Sequence, residues 1–299
     1  MDPSSETVYE IPGFIGIHKS GPVERLVGTQ TVPPSPSGDP ANGVASKDVV
    51  LDLAASISAR LYLPAATAAE PRRKFPVVVY YHGGAFVVQS AASPIYHKYA
   101  ASLVTAALAV VVSVNYRLAP EHPLPAAYDD AFVALRAIVA ACRPDGAEPW
   151  LAAHGDASRV VLAGDSSGAN MAHNTAIRLG KEGAGGYGDR CAASPWRPPF
   201  TTPASCGAFG PDHPYINPVA AAEEWRQLGS GRVLVTTAEL CWFVERARAY
   251  AEGIKACGWA GELEFYETKG EKQTYFLFKS DCDSAAKELT VVADFVKGC

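Results

Sequence analysis

Two hydrophobic patterns take turns along this chain, short β-branched runs and longer stretches with helical spacing, and their order predicts the architecture. KDVVLD around Val50 and the run from Ile57 to Pro64 are strand-like and separated by a short turn, so they read as an opening antiparallel pair. Val77 to Tyr81 is apolar at nearly every position, as a strand covered on both faces must be. A helix from about Tyr96 to Ala107, a buried strand from Ala109 to Asn115 and a helix from about Ala126 to Cys142 follow. A third buried run begins at Val161 and passes through Gly-Asp-Ser-Ser-Gly into a helix that reaches about Leu179. The chain closes with a strand at Arg232 to Glu239, a helix at Phe243 to Cys257, a strand at Glu262 to Thr268 and a helix at Ser284 to Lys297. Strand and helix in alternation form the βαβ signature, and they predict the α/β class with a mostly parallel central sheet covered by helices on both faces.

Two segments break the pattern. Residues 1–45 are rich in Pro, Gly and Ser and read as a surface arm with little regular structure, or as a lid over a pocket, ahead of one domain spanning 46–299. Residues 183–212 carry no hydrophobic periodicity and no strand-like run, which is unusual for an insert inside a compact domain. So abrupt a change of composition also fits intronic or out-of-frame sequence translated into the product.

Composition narrows the partners. A net charge of −5, with 26 basic residues scattered among 31 acidic ones, leaves no footprint for nucleic acid or an anionic membrane, so a small-molecule partner is expected. No stretch is long enough for a membrane span, and the acidic opening MDPSSETVYE lacks the features of a secretion signal, which points to the cytoplasm. Seven cysteines, an odd number without metal-ligand spacing, suggest reduced thiols and no metal or other cofactor. Oligomeric state is not legible.

The chemistry centres on VLAGDSSGAN, Val161 to Asn170. A GxSxG sequence between a strand and a helix places Ser166 on the tight turn called a nucleophile elbow. The run His82, Gly83, Gly84 and Ala85 follows another buried strand, and small residues there let backbone N–H groups converge. With the N–H of Ser167 they could form an oxyanion hole, in which one donor is worth about 3 kcal/mol of barrier. The alternative for the turn is a Gly-rich connection needed only for packing.

YYHGGAF, VSVNYRLAPEHPLPAAYDDA and LAGDSSGANMAHN resemble the plant carboxylesterases of the hormone-sensitive-lipase-like α/β-hydrolase family, to which the gibberellin receptors are related. The likeness runs from residue 7 to about 180 and resumes from about Pro214. It implies the α/β-hydrolase fold, hydrolysis of small acyl esters, Ser166 as nucleophile, and Gly84, Ala85 and Ser167 as oxyanion donors.

The family's other two catalytic residues do not carry over. Where its pattern has an Asp after the strand RVLVTTAE this chain has Cys241, and where its GExH motif has the His this chain has Gln273. No histidine follows His213. Serine needs an adjacent base to take its proton, and an amide cannot do so. In a serine protease, loss of the base costs about 10⁶ in turnover. Very weak or absent ester hydrolysis is therefore expected. The substitutes the chain offers are His213 as a base, Glu239 or Glu245 as an acid, and Cys241 as a nucleophile in its own right. The rival function is non-catalytic binding of a small, hormone-like molecule, as in the related receptors; a lyase or dehydratase using the oxyanion turn is a third class. The resemblance also implies a further internal strand and cap helices that residues 183–212 are too few and too polar to supply, so a gap is expected beside the strand leading to Ser166.

Overall fold

The structure, a computed structural model, describes residues 7–11, 13–19, 23–68, 73–183, 190–192 and 213–298. An eight-stranded sheet runs through the centre. In chain order its strands are β4 (Ala45–Asp52), β5 (Ile57–Leu63), β6 (Phe75–Tyr81), β7 (Val110–Asn115), β8 (Gly155–Gly164), β9 (Arg190–Ala192), β10 (Arg232–Ala238) and β11 (Glu262–Thr268). They lie side by side in the order β11-β10-β9-β8-β6-β7-β5-β4. β4 and β5 pair antiparallel, β5 meets β7 antiparallel, and every other pair is parallel.

The periodicity of β6 explains its place. Val77, Val79 and Tyr81 enter one hydrophobic core while Val78 and Tyr80 enter the other, so a strand buried on both faces has no polar side. The helices α1 (Pro94–Ala107) and α7 (Asp283–Lys297) cover one face through Leu103, Val104, Val292 and Phe295. On the other face lie α2 (Ala126–Ala141), α4 (Ser167–Lys181) and α5 (Val244–Ala256), which contribute Leu135, Met171 and Tyr250. The short helices α3 (Pro149–His154) and α6 (Tyr275–Phe278) and the 3₁₀ segments at Ala65–Ala68 and Pro218–Gln227 are the remaining described helical elements, and none of the four was legible in the pattern.

Two expectations need correction. The sheet has no internal gap: β9 pairs with Val161–Ala163 of β8 on one side and with Arg232–Leu234 of β10 on the other. Three residues satisfy the backbone groups of both neighbours at that level, and a strand this short has no periodicity to read. The expected absence of cap helices falls on residues 183–212, of which 184–189 and 193–212 lie outside the described ones. The arm is also more regular than its composition implies. β1 (Thr7–Ile11), β2 (Ile15–His18) and β3 (Glu24–Arg25) form a small antiparallel sheet. Arg25 fastens it to the body, donating to Val87 O at 2.6 Å, to Ala119 O at 3.1 Å and to both carboxylate oxygens of Glu121 at 2.7 Å.

Candidate active site

Ser166 sits between β8 and α4 with φ 54° and ψ −121°, a backbone conformation that costs an L-residue about 1–3 kcal/mol. Close packing holds it there. A Cβ on Gly168 would lie 1.8 Å from the Tyr81 carbonyl oxygen, so α4 can approach the end of β6 only with glycine at that position.

Asp165, next to Ser166, is buried without a cation. Its carboxylate accepts from the Tyr80 hydroxyl at 2.9 Å, the Tyr96 hydroxyl at 3.0 Å and the Gly83 N–H at 3.1 Å. Burial pushes its pKa up to about 6, against the opposing effect of those donors. The Gly83 bond ties the His-Gly-Gly turn to the Ser166 turn, and it also occupies one of the N–H groups considered for an oxyanion hole.

Gly84 (φ +116°), Ala85 (φ 57°) and Phe86 (φ 65°) form consecutive left-handed turns in which the Val87 and Val88 N–H groups both donate to Gly84 O at 3.0 Å. Among the described residues the N–H groups of Gly84 and Ala85 have no acceptor. His82 is fully buried and stacked on Tyr116, its ring donating through Nδ1 to Gly83 O at 2.7 Å. Its Nε2 is left without a donor, and burial lowers its pKa to about 4, so the ring is neutral. The Ser167 hydroxyl is likewise buried without a partner.

A cavity with about 830 Å³ of empty space, its open mouth included, lies along the C-terminal ends of β8 and β10, from which Ala163, Gly164, Leu234 and Thr236 line it. Ser166, Cys241 and Gln273 all line it, so positions far apart in the chain meet at one site. None of the chain's seven histidines lines it, and all seven are described. His82, Gly83, Gly84, Ala85 and Ser167 are not among its lining residues either. Cys241 follows β10, its sulfur accepting from the Phe243 N–H at 3.4 Å, and burial raises its thiol pKa, which opposes a reactive thiolate. Gln273 precedes Thr274, which has φ 52° and whose hydroxyl donates to Gln273 O at 2.8 Å.

The other candidate substitutes are engaged away from the cavity. His213 Nδ1 accepts from the Tyr215 N–H at 3.2 Å. Glu239 accepts from the Gly270 N–H and Lys269, and Glu245 pairs with Arg248. Sequence reasoning overlooked Asp165 and a second buried carboxyl group, Glu288, which also lines the cavity. Glu288 was readable: it lies three residues after Ala285 and four before Val292, on the buried face of the closing helix.

A family profile described as the alpha/beta hydrolase fold matches residues 78–205. The chain is 37% identical to the 2-hydroxyisoflavanone dehydratase of Glycyrrhiza echinata over 98% of this chain and 97% of that protein. It is 38% identical to probable carboxylesterase 13 of Arabidopsis thaliana, covering 98% and 99% respectively. Tuliposide A-converting enzyme 1 of Tulipa gesneriana, a chloroplastic protein, is 38% identical over 98% of this chain and 79% of its own length. Among solved structures, a fungal esterase from Rhizomucor miehei superposes with a TM-score of 0.73 at 17% identity, covering 85% of this chain and 83% of that one. The esterase of Pyrobaculum calidifontis gives 0.68 at 24%, covering 85% and 84%.

Proposed function

This chain belongs to the plant carboxylesterases of the hormone-sensitive-lipase-like α/β-hydrolase family, and on that premise we propose that its Ser166 cavity binds small esters or ester-like molecules and turns them over far more slowly than an intact triad would. Ser166 stands at the nucleophile position of an elbow, Cys241 at the acid position and Gln273 at the base position. Gly84, Ala85 and the Ser167 N–H are assigned as oxyanion donors, with His82 and Gly83 shaping the turn. The observation that carries the reading is the joint presence of Ser166, Cys241 and Gln273 in one cavity that no histidine lines.

That same observation favours a second reading, a non-catalytic receptor-like binder on this scaffold. Residues 1–45 serve as an arm and 46–299 as the hydrolase domain, with Arg25 fixing the arm beside the oxyanion turn. The free thiols of Cys142, Cys241, Cys257 and Cys282 suit a reducing compartment such as the cytoplasm.

Fluorophosphonate labelling and short-chain 4-nitrophenyl ester hydrolysis, measured on the natural protein and on the Cys241→Asp, Gln273→His double variant, test the proposal. Slow labelling of the natural protein and a gain of at least about 10²-fold in the double variant are expected. Rapid stoichiometric labelling of the natural protein at Ser166 would overturn it. Turnover that stays undetectable in a folded double variant would favour the binder.

A further inference from the structure

The turn that carries the assigned oxyanion donors is gripped from the N-terminal arm. Its left-handed residues Gly84, Ala85 and Phe86 belong to no strand or helix, so their peptide planes are set by what their carbonyl groups bond. Gly84 O accepts from the Val87 and Val88 N–H groups, both at 3.0 Å. In a trans peptide the C=O of one residue and the N–H of the next point in opposite directions, and none of the peptides in this turn is cis. Holding Gly84 O therefore aims the Ala85 N–H the other way, and that N–H has no acceptor among the described residues.

The same rule traces both bonds back to one side chain. The Val88 N–H shares a peptide with Val87 O, which accepts from Arg25 Nε at 2.6 Å. The Val87 N–H shares a peptide with Phe86 O, which accepts from the Ala119 N–H at 2.9 Å. Ala119 O in turn accepts from Arg25 Nη2 at 3.1 Å. The Arg25 side chain is largely shielded from water, and a charged donor at the head of a hydrogen-bonded chain strengthens the bonds that follow it. The arm does not depend on Arg25 alone for its seat. A Cβ on Gly28 would lie 2.6 Å from Gln89 N, and the Val32 N–H donates to Ala92 O at 2.9 Å.

We propose that Arg25 is a positioning residue for the oxyanion donor Ala85, orienting and polarising its N–H through the Val87–Val88 and Gly84–Ala85 peptides. The inference rests on the reading of Ala85 as an oxyanion donor beside Ser166. It makes the arm part of the reacting site, acting on the step in which negative charge develops and not on the binding of a neutral ligand.

Two readouts on the natural protein, Arg25→Ala, Arg25→Lys and Glu121→Gln test the proposal. Glu121→Gln weakens the ion pair that fastens the arm but leaves the Arg25 bond to Val87 O, so a merely fastening role would move it as far as Arg25→Ala. Amide hydrogen exchange at Val88, followed by NMR, needs no reactivity. It is expected to be at least about 10-fold faster in Arg25→Ala, about 3-fold faster in Arg25→Lys and within about 2-fold of the natural protein in Glu121→Gln. The second readout is saturation kinetics of fluorophosphonate labelling at Ser166. Removing an oxyanion donor outright costs about 10²–10³-fold in rate, so a donor that stays in place but is no longer held is expected to cost about 10-fold in the limiting rate of Arg25→Ala. The half-saturating concentration is expected to stay within about 2-fold, and Arg25→Lys to recover the limiting rate to within about 3-fold. Equal effects of Arg25→Ala and Glu121→Gln, a loss confined to half-saturation, or unchanged Val88 exchange in Arg25→Ala would each overturn the proposal. The expected exchange pattern with no labelling of any of these proteins would support the relay and retire the assignment of Ser166 as nucleophile. If Arg25→Ala does not fold, Arg25→Lys against Glu121→Gln decides on the same two readouts.

Discussion

Ser166, Cys241 and Gln273 share one cavity, so their contributions to catalysis should be coupled rather than additive. A histidine at position 273 supplies a base even without an oriented acid, whereas an aspartate at 241 has no imidazole to orient. Gln273→His alone is therefore expected to raise ester turnover by up to about 10²-fold, and Cys241→Asp alone to change it less than about 2-fold. The double variant should exceed the product of the two, as steady-state rates on a 4-nitrophenyl ester would show. At this scale the sequence was informative wherever a residue stands in a motif: Ser166 and the positions 241 and 273 that it singles out line one cavity. It was silent on Asp165, whose significance lies in three donors brought from β6, α1 and the following turn. Contacts made across the sheet leave no local trace in the chain.

Elements were legible in proportion to their length and burial. β6, β7 and the second half of β8 announce themselves because strands covered on both faces are apolar at nearly every position, and α2 and α4 because helical spacing repeats over several turns. β9 has three residues and β3 has two, too few for any period, and they are held by their neighbours' backbone groups rather than by their own side chains. The join between β8 and α4 is where an element-scale prediction is sharpest. Gly168→Ala places a methyl 1.8 Å from the Tyr81 carbonyl oxygen, and backbone must move to relieve it. A loss above about 3 kcal/mol or failure to fold is expected. Gly183→Ala, with no described atom within 4 Å of the new Cβ but φ +62°, should cost only about 1 kcal/mol, and thermal melts of the two variants side by side make the comparison.

For the whole molecule, the buried titratable groups decide how stability responds to acid. His82 and His173 are held at about pKa 4 by burial, below their ordinary 6.5. As pH falls from 6.5 to 4 the unfolded chain takes up their protons first, so each histidine removes about 3 kcal/mol of stability over that interval. Asp165 works in the opposite sense. Its folded pKa of about 6 lies above the ordinary 3.8, so the folded state binds that proton first, and about 3 kcal/mol is recovered between pH 6 and 4. Glu288 is raised by burial and adds to the recovery, while Asp156, lowered by its partners Ser158 and Arg159 against its own burial, adds a small loss. Two histidines against one aspartate make the balance of these groups a loss of stability as pH falls from 7 to 4, and His97 and His213, whose pKa values burial also lowers, act in the same sense. His173→Asn removes one of the two acid-sensitive groups and keeps a polar atom facing the Tyr250 hydroxyl, which lies 2.8 Å from Nδ1. Urea denaturation at pH 7 and pH 4 should show that variant losing about 3 kcal/mol less than the natural protein on acidification. Identical pH dependence in the two proteins would mean that His173 titrates in the folded state as it does in the unfolded chain.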